Sequence, residues 1–408
     1  MKILYVDLSP GWGGSLVSLE RLLTRLDPHV YRPLLLLAAQ NHGVTAFRDG
    51  GWPVYTVPTF RAEVAQNTPL IRRVKATSVG QVLRTGRLAP LWGIARGARS
   101  TLLRTWPLTA RLWRIMFALR PDLVHINDAV FLNRAAIAAA WLARVPAVCH
   151  VRSLGQLSGW DRLWARTLRG FVFISRWVAQ DQGAQGIPVS CGRVIYDGLD
   201  LASYADTPPR AAARLALGWP PQRPIVLSLG RLVPWKGQDL FLRALRQVAD
   251  AMPEVLGVVA GAPETYSLDF EPALRSLADE LRLGDCVRFT GAVADPKQVL
   301  AAADVLAHTS LSPEPFGLVM LEAMAVGRPV VTPAAGGGLE IIVHGETGLH
   351  YAPGDEQALA QALLQLLGDP SRAAQMGAAG RERVAAAFTL EQFVREMDRF
   401  YRDLFPER

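Results

Sequence analysis

Cysteine is scarce in this chain. The 408 residues hold three, Cys149, Cys191 and Cys286, far apart and in no Cys-x-x-Cys pair. That excludes a disulfide framework and a thiolate zinc site, and it suits a reducing compartment. Long apolar runs are missing too, none approaching the roughly 20 residues of a membrane-spanning helix. The opening MKILYVDLSPGWGG has too short an apolar run for a secretory leader and no small-residue cleavage site. It reads as a first strand entering a glycine-rich turn, and the protein is expected to be cytoplasmic. There is no solenoid-length repeat, no low-complexity tract, no complete Gly-x-Gly-x-x-Gly word for a dinucleotide, and no Asp-x-Asp word to hold a metal.

Acid is nearly absent from one window. Between Arg61 and Arg120 stand twelve Lys or Arg against Glu63 alone, a local charge of +11 in a chain of +8 overall, so the remainder is about −3. A basic excess confined to sixty residues is a surface property and points to an anionic partner. The window combines Arg72, Arg73, Lys75, Arg84, Arg111 and Arg114, among others, with Trp92, Trp106 and Trp113. TLLRTWPLTARLWRIMFALR reads as a basic amphipathic helix with an early break at Pro107. Arginine with interfacial tryptophan suits an anionic membrane surface or a lipid-phosphate acceptor. A solvated arginine-rich hairpin is the plainer reading, and nucleic acid is disfavoured because no recognition motif accompanies the charge.

Half of the residues are apolar, and 408 residues exceed one ordinary core, so two domains are expected. Strand-like runs alternate with helical patterns: KILYVDLS, SLERLLTRL, RPLLLLAA, then DLVHIN, AAIAAAWLA, PAVCHV and FVFIS. After a Pro-rich stretch, residues 197–224, a second series runs through PIVLSLG, DLFLRALRQVA, VLGVVAG and PVVTPA. Alternation of this kind implies parallel sheets flanked by helices. The reading is an α/β chain of two doubly wound domains: residues 1–196 with a basic insertion at about 61–120, a linker at 197–224, a second domain at 225–388, and a final helix at 389–408. Thr389 with Gln392 three residues on is a capping-box spacing for that helix.

In such sheets ligands sit beyond the carboxyl ends of the strands, so residues just after the apolar runs carry the information. Gly11-Trp12-Gly13-Gly14-Ser15 follows the first strand. Its glycines let backbone approach a ligand, though a plain strand–helix turn uses glycine as well. Gly230-Arg231-Leu232-Val233-Pro234-Trp235-Lys236-Gly237 follows another strand and holds two cations on a glycine-bounded loop, either a diphosphate clamp or a solvated basic loop. In SPEPFGLVMLE the prolines push Ser312 and Glu314 out of helical geometry, and a helix is expected from Pro315 to Val326. Its first N–H groups, on Phe316, Gly317 and Leu318, are then free for sugar hydroxyls or phosphate. Glu314 stands at the helix mouth and Glu322 about 10 Å along the axis. The two carboxylates either hold the ends of one elongated polar ligand or belong to a buried, salt-bridged helix.

Taken together, GRLVPWKG, PEPFGLVMLEAMAVGRPVV and AAGGGLEIIVHGETGLHYAPGD resemble the retaining GT-B glycosyltransferases of the group 1, or family 4, type. The Glu314–Glu322 spacing matches that family's E-x7-E word. GWGGSLVSLERLL, PDLVHIND, FVFISRWVAQ and VIYDGLD resemble its first-half elements in order. The likeness covers nearly the whole chain except about residues 60–120.

The resemblance implies two Rossmann-like domains facing each other across a cleft, a UDP- or GDP-linked sugar donor, no cofactor and no metal. By it, Arg231 and Lys236 bind the donor diphosphate, Glu322 the ribose, and Glu314 with the Phe316–Gly317–Leu318 backbone the donor sugar. Gly13, Gly14 and Gly230 line the donor loops, Gly336 to Glu340 form a further loop near it, and the last helix crosses back to the first domain. Family members often carry a histidine six residues after the proline of VPAVCHVRS. Here that position is Arg152 and the nearest histidine is His150, so both are candidates; His125 and Asp128 also end a strand. The implied function is transfer to a glycolipid, polyprenyl-linked or glycan acceptor of cell-envelope or exopolysaccharide synthesis, at the inner face of the cell membrane. The alternatives are an epimerase or soluble disaccharide-type synthase of the same fold, and a non-catalytic nucleotide-sugar-binding subunit.

Overall fold

The computed structural model describes residues 1–9, 11, 13–58 and 105–405. The chain divides into two compact units. The first is Met1–Val172 with Gln182–Arg193, and the second is Phe173–Asp181 with Val194–Arg408.

The first unit is built on β1 (Lys2–Asp7), β2 (Arg32–Ala38), β3 (Val54–Val57), β4 (Leu123–Ile126), β5 (Ala147–Val151), β6 (Gly170–Phe173) and β7 (Gly192–Val194). Their order in the sheet is β3-β2-β1-β4-β5-β6-β7. β1 pairs in parallel with β2 and with β4, Tyr5 lying opposite Leu35 on one side and His125 on the other. The order reverses between β1 and β4, so the switch point where ligands bind in such sheets lies beyond Asp7 and Ile126. Strands covered on both faces read as continuous apolar runs, and Leu34–Ala38 and Ile3–Val6 are accordingly buried.

The second unit holds β8 (Ile225–Leu229), β9 (Leu256–Ala260), β10 (Val287–Gly291), β11 (Val305–Ala307), β12 (Val330–Pro333) and β13 (Gly348–Tyr351), in the order β10-β9-β8-β11-β12-β13. All pairings are parallel. Here the reversal falls between β8 and β11. Phe241, Leu245 and Val248 of helix Gln238–Ala251 and Leu359, Leu363 and Leu366 of helix Glu356–Leu367 are all buried in its core. Thr389 caps helix Leu390–Asp403, its hydroxyl accepting from the Gln392 N–H at 3.2 Å, as the spacing requires.

Residues 197–224 are ordered and belong to the second unit. Helix Arg210–Leu217 carries Arg214, which is 2% exposed. Arg214 donates to the Ala302, Pro221 and Arg223 carbonyls and meets Asp304 at 2.7 Å. Asp304 also takes the Ile225 N–H at 2.7 Å and pairs with Arg210. A buried guanidinium demands this many acceptors. No helix among the described residues is long and apolar enough to cross a membrane.

Candidate functional site

In the second unit the chemistry gathers where β8 and β11 end. After β8 the chain turns through Pro234–Lys236 to Gly237, whose φ is +68°. A Cβ there would lie 2.1 Å from the Thr309 carbonyl oxygen. Glycine therefore lets the Lys236 turn press against the segment following β11. Thr309 Oγ1 donates to the Lys236 carbonyl at 2.9 Å, and the Leu311 N–H donates to that of Trp235 at 2.8 Å. Lys236 Nζ, 4.4 Å from the Trp235 ring centroid, is thereby aimed at Glu314 Oε2, 2.6 Å away.

Three further groups surround that carboxylate. Ser310 Oγ donates to Glu314 Oε2 at 3.0 Å, and His308 Nε2 lies 3.3 Å from the same oxygen. Thr332 Oγ1 sits 3.2 Å from His308 Nδ1. Burial pushes the His308 imidazole below its ordinary range, more than the neighbouring carboxylate raises it, which favours its neutral form. With Thr332 donating to Nδ1, Nε2 carries the hydrogen and donates to Glu314. Burial pushes the Glu314 carboxyl up, but the Lys236 charge and the hydrogen bonds from His308 and Lys236 outweigh it and hold it well below the usual carboxylate range. Glu314 is an ionised acceptor at all physiological pH values.

The helix bearing the second glutamate differs from expectation. It spans Leu318–Ala325 rather than Pro315 to Val326. Gly317 precedes it at φ +108°, outside the helical region, and Phe316 is 2% exposed with its ring stacked on Tyr196 at 5.8 Å and 15°. Anchoring Phe316 keeps Pro315 and Phe316 out of the first turn. Glu322 is the fifth residue of the helix and half-buried.

The glycine-rich segment 336–340 packs on the Glu314 backbone. The Gly337 N–H donates to the Glu314 carbonyl at 2.8 Å, and a Cβ on Gly336 would come within 2.5 Å of that oxygen. Glu340 faces the other way. Its carboxylate accepts from the Arg176 and Trp177 N–H groups at 2.9 and 2.8 Å and from Tyr196 Oη at 2.8 Å. Burial and that carboxylate push the Tyr196 phenol up to about 12. Ser175 Oγ donates to the Pro315 carbonyl at 2.6 Å. Arg231, on the same loop as Lys236, is exposed and pairs with Glu264 at 3.0 Å. Gly230 sits at φ +157° just before it.

The first unit assembles its own polar cluster beyond β1, β4 and β5. Asp7 accepts from Ser9 and from Asn127 Nδ2 at 3.0 Å, and Asn127 Oδ1 accepts from Arg152 Nε at 3.2 Å. Arg152 Nη2 lies 3.3 Å from His150 Nδ1, and the His150 and His125 rings are 5.6 Å apart. His150 lies within β5 and is fully buried, while Arg152 follows the strand at 6% exposure. Burial and the Arg152 charge push both imidazoles down, His125 to about 3. Asp128 is raised to about 6 by burial and by the charge of Asp7. Gly13 precedes helix Gly14–Arg25 in extended geometry, and a Cβ there would meet nothing within 4 Å. Neither strain nor packing demands a glycine at that position.

Helix Trp106–Leu119 begins at Trp106, with Pro107 in its first turn rather than breaking it. Arg111, Arg114 and Trp106 are exposed, and the half-buried Trp113 packs on Phe117 at 5.6 Å. The earlier part of the basic window, residues 61–104, lies outside the described residues.

Lys236 and Glu314 are thus brought together, Arg231 is held by Glu264, and Glu322 lies further along its helix. The residues not foreseen are His308, Ser310, Thr332, Tyr196 and Glu264. His308 and Ser310 follow β11 directly, so the strand-end rule applied to VLAHTS would have found them.

Residues 29–203 match the family described as Glycosyltransferase Family 4, and residues 210–383 match Glycosyl transferases group 1. A GDP-mannose-dependent monoacylated alpha-(1-6)-phosphatidylinositol monomannoside mannosyltransferase of Corynebacterium glutamicum is 35% identical over 48% of this chain and 51% of its own. The alpha-maltose-1-phosphate synthase of Mycolicibacterium smegmatis is 31% identical over 75% of this chain and 84% of its own. The crystal structure of Anabaena HepE in complex with UDP and glucose matches with a TM-score of 0.79 at 26% identity, covering 99% of this chain and 100% of that one. Against the first three curated relatives the chain spans about half their length, 51% to 56%. The two parallel-sheet, Rossmann-like units are those of the GT-B architecture. The chain belongs to the group 1, family 4 glycosyltransferases.

Proposed function

We propose that the protein is a retaining, metal-independent glycosyltransferase. It moves a sugar from a UDP- or GDP-linked donor to a glycolipid, polyprenyl-linked or glycan acceptor of envelope or exopolysaccharide synthesis. The observation that carries this is the Lys236–Glu314 pair at 2.6 Å, held between two strand ends and backed by His308 and Ser310.

In this reading Lys236 and Arg231 take the charge that builds on the departing diphosphate. Glu314 accepts from the donor sugar's hydroxyls, beside the Phe316–Gly317–Leu318 backbone, and Glu322 accepts from the ribose. Gly13, Gly14 and Gly230 allow close approach of backbone to donor. Arg152 and His150 remain the candidates for a sugar contact in the first unit. The acceptor oxygen bonds to the anomeric carbon as the bond to the diphosphate oxygen breaks. The departing diphosphate keeps that electron pair and receives the acceptor's hydroxyl proton. Arg111, Arg114, Trp106 and Trp113 stand on the acceptor side, where a lipid-linked acceptor at the inner face of the cell membrane is met. The names of the relatives support the donor and acceptor classes: a GDP-mannose-dependent transferase acting on a phosphatidylinositol mannoside, and a structure holding UDP and glucose.

The test is release of nucleotide and transfer of sugar from UDP-glucose and GDP-mannose by wild type, Lys236→Ala and Glu314→Ala. Turnover by wild type with a loss of about 100-fold or more in each variant is expected. Equal release by all three would overturn the enzymatic reading.

A further inference from the structure

The first unit carries an arginine–tryptophan face that extends well beyond the basic window legible in the sequence. Residues 105–170 contain nine arginines and three aspartates, with no lysine and no glutamate. None of the aspartates is exposed. Asp128 and Asp161 are buried, Asp161 being paired with Arg134, and the half-buried Asp122 accepts the Lys2 N–H at 2.7 Å. Arg111, Arg114, Arg144, Arg162, Arg166 and Arg169 are all exposed. The positive charge of this stretch is therefore on the surface and its negative charge is not.

Large apolar side chains of the same stretch are exposed as well. Trp106 and Phe117 of helix Trp106–Leu119 are 43% and 59% exposed, Trp141 at the end of helix Arg134–Leu142 is 58% exposed, and Trp160 and Leu163 of helix Gly159–Ala165 are 54% and 52% exposed. The three helices are consecutive neighbours, the first against the second and the second against the third. The Trp141 and Trp164 rings meet edge to face at 6.3 Å where the second and third helices pack. Arg144 and Arg169 line a cavity of about 390 Å³ with Ile137 and Trp141. Scattered exposed hydrophobics need no explanation, but a run of them on adjoining helices does. Exposed tryptophan and leucine together with exposed arginine, and no exposed carboxylate within residues 105–170, complement a bilayer interface bearing anionic headgroups.

We propose that helices Trp106–Leu119, Arg134–Leu142 and Gly159–Ala165 form one docking face for an anionic phospholipid membrane. The inference deepens the acceptor reading above, resting on it only for its biological purpose, because the binding itself is a property of this face. Full-length protein is mixed with vesicles of phosphatidylcholine alone or with about 30% phosphatidylglycerol, and flotation and tryptophan emission are read. Binding to the anionic vesicles only is expected, with a blue shift, and with loss on going from about 50 to about 500 mM salt. Arg144→Glu/Arg166→Glu, outside the original basic window, should weaken binding about tenfold or more. Trp160→Ala should weaken it severalfold while leaving the thermal midpoint within a degree or two, since its side chain is half exposed. Wild type that ignores anionic vesicles at low salt overturns the proposal. So does undiminished binding by a folded Arg144→Glu/Arg166→Glu variant, or capture of RNA in preference to vesicles. Vesicle binding without sugar transfer would instead leave this face standing and remove the transferase reading.

Discussion

Each unit ends its central strands in a buried charge cluster, and the two clusters resolve their charge in opposite ways. Beyond β1 and β4, Asp7 and Asp128 share one guanidinium, Arg152, and burial lifts both carboxyls, Asp128 to about 6. Beyond β8 and β11, Glu314 stands alone with Lys236, His308 and Ser310, and it is held down. Burial penalises charge in both places, and the difference lies in what offsets it: Lys236 and His308 outweigh it at Glu314, whereas Arg152 and the neighbouring hydrogen bonds do not at Asp7 and Asp128. A lone buried anion with a full set of donors is a permanent acceptor, suited to gripping hydroxyls. A buried carboxyl raised to about 6, as Asp128 is, changes its protonation near neutrality instead.

The sharpest way to break the contrast is to take the cation from the second cluster. Lys236→Ala should cost about 3 kcal/mol of stability by stranding Glu314 and lower turnover by about 100- to 1000-fold, read by thermal unfolding and initial rates. A change under 1 kcal/mol would show that the pair is not the main partner of that carboxylate. The first cluster should respond to pH instead. A carboxyl with a folded pKa near 6 and an ordinary unfolded value near 4 contributes most below pH 4, and that contribution is lost as pH rises to about 6. The stability difference between wild type and Asp128→Asn should therefore change by about 2–3 kcal/mol between pH 4 and pH 7, favouring the variant at the higher pH. A flat difference would mean that Asp128 titrates normally. Arg231→Ala tests the exposed member of the diphosphate loop. It should change stability by less than about 1 kcal/mol but raise the donor Km roughly tenfold, because its partner Glu264 is only a surface pairing. The smallest effect is expected from Tyr196→Phe. It removes one of three donors to Glu340 and should cost about 1 kcal/mol with donor turnover nearly retained.

Much of the second cluster was legible because its signals are local. Proline at 313 and 315 marks where a helix cannot yet run, glycine at 237 marks a backbone pressed close, and Glu314 and Glu322 stand at a recognisable spacing. The helix starts three residues later than the prolines suggest, for a reason no local pattern carries. Phe316 is held by Tyr196 and by Phe388, more than 70 residues further along the chain, so the first turn gives way to a tertiary contact. His308 and Ser310 follow β11 at once, where the strand-end rule points. The first cluster was harder. Asp7 and Asn127 look like ordinary strand endings until the switch point between β1 and β4 brings them within 3.0 Å. The arginine–tryptophan face was only half visible, because residues 134–169 contribute through exposure, and spacing alone does not reveal which side of a helix is left uncovered.

Arg214 carries a practical consequence for anyone dividing this chain. Its guanidinium joins the residues before β8 to the turn ahead of β11. A C-terminal fragment begun at Pro224, where composition suggests a natural cut, would take both Arg210 and Arg214 away from the Asp304 carboxylate. A fragment that keeps the main segment of the second unit whole begins no later than Val194, and a protease given the intact chain should leave residues 210–223 whole.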